Sequence, residues 1–195
     1  MSANKVKFGI EDAHVAFFDE LTATEGSPAW DAPQAINGAV SLTMNPEGDQ
    51  NDFYADNTKY YTSNTNNGYT GTLEVANVPD DILAEMLGMT VDTNGMLVEN
   101  AEDKQKEFAL MGEIKGDEKD RRFVYYRCKA VRPSQDSTTS DTGETPDTDS
   151  LEVTVMPIES GDKKLVKGVL ELDDANQAVF DEFFNEVILP DHTVA

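Results

Sequence analysis

The chain has 195 residues, with 15 basic against 38 acidic side chains and a formal net charge of −23. A chain this long buries a core without covalent staples, and a single cysteine, Cys128, excludes an intramolecular disulfide. Duplex binding draws its affinity from Lys and Arg displacing counterions, so this balance argues against a nucleic-acid reader. No apolar run approaches membrane-spanning length, and no apolar stretch of signal-peptide type follows Lys5, which points to an aqueous compartment.

In chain order, Val6 to Ile10 and His14 to Phe18 read as strands. Gly26-Ser27-Pro28 and Asp31-Ala32-Pro33 mark a loop, in which Trp30 is expected to tie the loop to the body. From Ala39 to Met44 the apolar Val40, Leu42 and Met44 alternate with Ser41 and Thr43, and Leu73, Val75 and Val78 lie in a second strand-like run. Between these strands runs a polar excursion, residues 45–67. It contains Asn45, Pro46, Glu47, Gly48, Asp49, Asp52, Phe53, Tyr54, Asp56, Tyr60 and Tyr61. Such a segment is too polar to pack internally and is expected to reach away from the core and order elsewhere.

A short helix follows: Pro79 suits a first turn, Asp80 and Asp81 suit the positive end of the dipole, and Gly88 suits the carboxyl end. Its apolar stripe is Ile82, Leu83, Met86 and Leu87. Asn94-Gly95 predicts a turn into Met96-Leu97-Val98. Asp92-Thr93-Asn94-Gly95 is not a calcium loop, because its glycine is fourth instead of sixth. Glu107 to Ile114 and Arg122 to Arg132 form a predicted strand pair joined by the Lys115 to Asp120 turn. A basic cluster, Lys119, Arg121, Arg122, Arg127, Lys129 and Arg132, threads the second of these strands. Simple alternation puts Arg127 and Lys129 on one face and Arg122 and Arg132 on the other. Pairing with acidic neighbours, within or between subunits, is the expected use.

Residues 134–150 carry five acids and no apolar side chain, so an exposed loop is expected there. Leu151 to Met156 and Val166 to Leu172 are the last strands. A longer helix is predicted from an Asp174/Gln177 capping box to Pro190, with Val179, Phe180, Phe183, Phe184, Val187 and Ile188 on one face. Catalytic, metal and cofactor residues are not assigned. The two histidines, His14 and His192, are isolated, and no nucleophile elbow, zinc helix, P-loop or dinucleotide fingerprint occurs.

The ordered set Asp56, Tyr60-Tyr61, Asn67-Gly68-Tyr69, Gly71, Leu73-Glu74-Val75, Pro79-Asp80-Asp81 and Leu87-Gly88 resembles the major tail tube proteins of long, flexible-tailed bacteriophages, in the branch common in phages of Gram-positive hosts. Similar stretches begin near Val6 to Ile10 and His14 to Ala16 and resume at Tyr125 to Pro133 and Leu151 to Pro157. The resemblance implies a mainly β fold, a β-sandwich with flanking helix, over one domain at residues 1–195. It implies a non-enzymatic virion protein whose copies close into rings, six to a ring, and stack into the tube that conducts DNA at ejection. The excursion is then expected to contact the adjacent ring, and Arg121, Arg122, Arg127, Lys129 and Arg132 to serve subunit contacts. Implied partners are further copies of the chain, tape-measure, distal tail and tail terminator proteins, and DNA in transit without specific binding. Neither cofactor nor membrane is implied, and assembly is expected in the host cytoplasm. The rival reading is a soluble acidic β-sandwich binding or adhesion module, which would be monomeric.

Overall fold

The computed structural model describes residues 9–116, 120–133 and 148–190. Its strands are β1 (Gly9–Phe17), β2 (Gln34–Ala35), β3 (Ala39–Glu47), β4 (Gln50–Ala55), β5 (Thr58–Asn64) and β6 (Gly68–Val75). After helix α1 (Asp80–Leu87) come β7 (Thr90–Val91), β8 (Leu97–Val98), β9 (Phe108–Lys115) and β10 (Arg121–Ala130). The chain then forms β11 (Asp149–Val155), β12 (Ile158–Ser160), β13 (Lys163–Leu165), β14 (Lys167–Leu170) and α2 (Gln177–Asp181). The protein is mainly β, as expected.

Eight strands make one antiparallel sheet in the order β2-β1-β9-β10-β11-β6-β3, with β14 also paired to β10. Strand β10 is shared: Arg122 to Tyr125 pair with β14, and Cys128 to Ala130 pair with β11 along the same edge. The sheet curls until β1 and β3, far apart in the pairing order, approach each other. The layers of the expected sandwich are therefore two halves of one sheet. Between them lie Val15, Phe17, Leu73, Val75, Phe108, Leu110, Tyr125, Leu151 and Val153, all buried, and a fully buried side chain of this size contributes roughly 1.5–3 kcal/mol.

The bending is local. The two strands expected near the amino end are one bulged strand, β1, whose register shifts between Glu11 and His14 with Asp12 at φ 52°; residues 6–8 lie outside the described chain. Asp tolerates the left-handed region, and a bulge bends a strand and changes which face its side chains occupy. Ala13, Val15 and Phe17 enter the inner core, while Ala16 joins a second cluster on the outer face.

Helix α1 matches its expected signals. Pro79 is the residue before the first turn, one position earlier than predicted, Asp80 and Asp81 occupy that turn, and Gly88 closes the helix at φ 73°. Ile82, Met86 and Leu87 are buried in the inner core, and Leu83 is packed against it. At the β7-β8 hairpin the Asp92 carboxylate accepts hydrogen bonds from the N–H groups of Asn94 and Met96, both at 2.8 Å. It acts as a turn former, as expected.

The carboxyl-terminal segment departs from expectation. Helix α2 spans five residues behind Asn176, without a side-chain capping bond, and the Asp174/Gln177 box is not made. The cause is a competing partner: the Phe180 carbonyl, which a continuing α-helix would give to the N–H of residue 184, accepts instead from the Phe183 N–H and the Arg122 guanidinium. The apolar residues still find a surface. Phe183 is buried, and Phe184, Val187 and Ile188 pack on Ala16, Ala109, Met111, Val124 and Tyr126, the outer face of the sheet. Residues 134–147 of the expected loop and His192 lie outside the described residues, while Asp149 and Ser150, placed in that loop, open β11.

Gly68 begins β6 with φ 114°, and a Cβ built there would stand 1.9 Å from the Val155 carbonyl oxygen. Gly68→Ala is expected to cost about 1–3 kcal/mol through strain and overpacking, seen as a fall in Tm of roughly 2–12 °C. An unchanged Tm would mean that β11 yields more easily than its pairing with β6 implies.

Candidate assembly surfaces

The polar excursion is ordered within its own chain, contrary to expectation. Asn45, Pro46 and Glu47 still belong to β3 and pair with Thr70, Tyr69 and Gly68. Gly48 and Asp49 lead into a second hairpin, β4-β5, closed by Asp56 and Asn57 at φ 50° and 58°. Two left-handed residues are what a two-residue hairpin loop needs, and Asp-Asn supplies them without the usual glycine. That turn, between segments containing Phe53-Tyr54 and Tyr60-Tyr61, is the signal that composition alone hid.

The hairpin is tied by its own polar groups. Asp52 accepts from Lys59 at 2.8 Å, Thr62 at 2.9 Å and Gln50 at 3.1 Å, and these bonds, led by Lys59, hold its carboxyl below the ordinary value. Phe53 lies directly opposite Tyr61, and Tyr60 is the extra residue of a bulge. Phe53, Tyr54, Tyr60 and Tyr61 are 60%, 64%, 75% and 62% exposed. The hairpin continues the β3-β6 ribbon through the Asn67 N–H to the Glu47 carbonyl at 2.9 Å and the Thr65 N–H to the Asp49 carbonyl at 3.0 Å. Beyond the main sheet nothing among the described residues covers it, so four aromatics left this open mark a surface awaiting cover.

A second open feature is the edge of β3. It ends the sheet order, with β6 on one side and no paired strand on the other among the described residues, and Val40 on it is half exposed. A nine-residue edge is a template for pairing with another chain.

The basic cluster is arranged differently from the alternation expected. Between Tyr125 and Cys128 the register of β10 shifts, which changes parity, so Arg122, Arg127 and Lys129 share the outer face while Phe123, Tyr125, Cys128 and Ala130 point into the inner core. Within the chain Arg121 pairs with Glu171 at 2.5 Å, Arg122 with Glu113 at 2.8 Å, and Arg132 with Glu99 at 2.6 Å. Arg127 grips Glu107 through two nitrogens at 2.7 and 2.9 Å, and Lys129 reaches the same carboxylate at 3.2 Å. Lys119 lies outside the described residues.

Burial pushes Glu107 up, but the bonds from Arg127 and Lys129 outweigh it and leave the carboxyl below its ordinary 4.5. A depressed carboxyl contributes stability that is present above the unfolded value and lost as pH falls through the folded one. Glu107→Gln is therefore expected to lower Tm at pH 7 and to flatten the loss of Tm on acidification below pH 4.5. An acid limb identical to that of the parent protein would show that this ion pair carries no pH dependence.

Arg127, Lys129 and Arg132 also rim a cleft of about 880 Å³, whose other walls include Phe18, Ala23, Leu87 and Lys104. Trp30 packs between Phe18 and Tyr126, at centroid distances of 6.0 and 6.2 Å, and so ties its loop to the body as expected. His14 stacks on Phe184 at 4.5 Å and bonds the Asp12 carbonyl. Cys128 is buried, and burial pushes its thiol up, which leaves it a small core residue. No group of three metal-ligating side chains occurs among the described residues.

Comparison with curated proteins found no match. Among solved structures the chain is similar to one in the cryo-EM structure of the anti-feeding prophage baseplate, 6-fold symmetrised, with 13% identity and a TM-score of 0.43 over 87% of this chain and 97% of that one. The sequence pattern of a family described as phage tail tube protein matches residues 6–191. With nearly its whole length matched to that pattern, the chain belongs to the phage tail tube protein family.

Proposed function

We propose that this tail component is the major tube protein of a long, flexible phage tail, of the branch found in phages of Gram-positive hosts. The whole chain acts as a single tube domain, assembled in the host cytoplasm. Six copies close into a ring through their sheet edges, and rings stack into a tube that conducts DNA during ejection. The observation that carries this reading is the β4-β5 hairpin with its four exposed aromatics, which lies within residues 45–67, where a stacking contact is expected. The open edge of β3 supports ring closure, because a closed ring of sheets removes free edges.

Charge supports conduction. Duplex DNA carries one phosphate charge per about 1.7 Å of axis, so a wall built from chains of net charge −23 leaves it free to slide. Arg121, Arg122, Arg127, Lys129 and Arg132, held by carboxylates within the chain, are proposed to lie at subunit contacts and not on the channel wall. The same reading makes tape-measure, distal tail and terminator proteins the partners, and makes the role structural instead of enzymatic. Negative-stain microscopy of the purified chain across protein concentration and salt tests it. Rings or tubes are expected; a strictly monomeric species throughout would sink the reading and favour an acidic binding module.

A further inference from the structure

We propose that the cleft rimmed by Lys104, Arg127, Lys129 and Arg132 is the receptor for the β4-β5 hairpin tip of a copy in the neighbouring ring. This rests on the stacking reading above and names the surface that the hairpin meets.

The argument begins with the hairpin's chemistry. From Glu47 to Asn64 it carries Glu47, Asp49, Asp52 and Asp56 against Lys59 alone, and it presents exposed aromatics. A fitting surface must offer apolar walls and must not repel carboxylates. In a chain with 15 bases and 38 acids few places qualify. The cleft's lining inverts that ratio, with those four bases against Glu20, Asp103 and Glu107. Arg127 and Lys129 already share Glu107, whereas Lys104 is exposed and has no carboxylate within ion-pair distance among the described residues. It is the cation available to Asp56 at the tip.

Apolar fit points the same way. Phe18, Ala23 and Leu87 line the cleft, and a second depression sharing Phe18, Thr24 and Arg127 adds Pro28, Pro157 and Ile158, with Glu25 and Glu159 beside Lys164. Aromatic side chains bury about 150–250 Å² each, and these apolar walls take Tyr54 and Tyr60 on the side of the basic rim. A second apolar groove, lined by Ile10, Leu42, Met44 and Phe123 beside the open edge of β3, has Lys167 as its one cation among the described residues and suits a strand instead of an acidic tip. Hairpin and cleft are different patches of one chain, so their contact is heterologous and repeats without closing, as a stack of rings requires.

A double-mutant cycle on the full chain tests the assignment. Lys104→Glu reverses the exposed cation, and Asp56→Gly removes the tip charge while keeping the left-handed turn conformation. The readout is the critical protein concentration for tubes at low salt, with melting curves checking that each subunit is folded. Each single change is expected to raise it about tenfold, the scale of a close interfacial charge pair, and Lys104→Glu in the Asp56→Gly background to add less than about threefold. Effects that simply multiply, or no effect of Lys104→Glu, overturn the receptor while leaving stacking intact. Failure of the parent chain to form tubes would instead remove the stacking reading and this assignment with it.

Discussion

Replacing Phe53 and Tyr61 together by serine is expected to leave a folded, soluble subunit that does not grow tubes. The two rings face each other across β4 and β5 and are 60% and 62% exposed, so their removal takes nothing from the inner core. At an interface, buried aromatic anchors are commonly worth about 2 kcal/mol or more each, which together raises the critical concentration by roughly three orders of magnitude. Shortening the excursion between Glu47 and Thr65 should act alike, because β3 and β6 pair directly up to Glu47 and Gly68 and a short turn can join them there. Electron microscopy and sedimentation provide the test. Long tubes from either variant, at the parent concentration, would remove the hairpin from ring stacking.

The second large effect belongs to Arg122. Its guanidinium lies 3.8 Å from the Phe180 ring centroid and 4.6 Å from that of Phe184, donates to Glu113 at 2.8 Å, and also donates to the Phe180 carbonyl. Both partners of the ion pair are largely shielded, with side-chain exposures of 18% and 15%. Arg122→Ala leaves the half-buried Glu113 without its cation and is expected to cost about 1–3 kcal/mol, between an exposed pair and a fully buried one. It also frees the cover over the outer face, which Tyr126 further holds by donating to the Ile188 carbonyl at 3.1 Å; burial raises that phenol to about 12, so it remains a donor through ordinary pH. Amide exchange at residues 177–189 should accelerate ahead of the inner strands. Lys at position 122 should recover only part of the loss, since an ammonium cannot match a planar fork stacked on rings. A destabilisation below about 1 kcal/mol, the level of an exposed ion pair, would show that the sandwich is incidental.

The most legible parts were those governed by neighbours in the chain. Helix α1 announces itself through Pro79, the two aspartates and Gly88, all acting within one or two turns, and β11 announces itself through the alternation of Leu151, Val153 and Val155. The aromatics and turn of the excursion were equally present in the sequence. They carry little predictive weight because an Asp-Asn turn is a weaker signal than Asn-Gly, and because Asn- and Asp-rich composition masks a pairing that polar side chains themselves stabilise.

By itself the sequence determined a mainly β, strongly acidic chain, the places of its inner strands and first helix, and, through its ordered motifs, the tail tube family. These follow from local sterics, side-chain period and composition, which need no knowledge of distant residues. Only the tertiary structure decided which cations share a face, because one bulge between Tyr125 and Cys128 changes the parity of everything after it. It also decided that the aromatic carboxyl-terminal stripe stops being helical after Asp181, since the carbonyl needed to continue the helix is taken by Arg122, 58 residues earlier in the chain. Register and competition for a hydrogen bond are settled between strands and segments far apart in sequence, and periodicity within a segment carries no record of them.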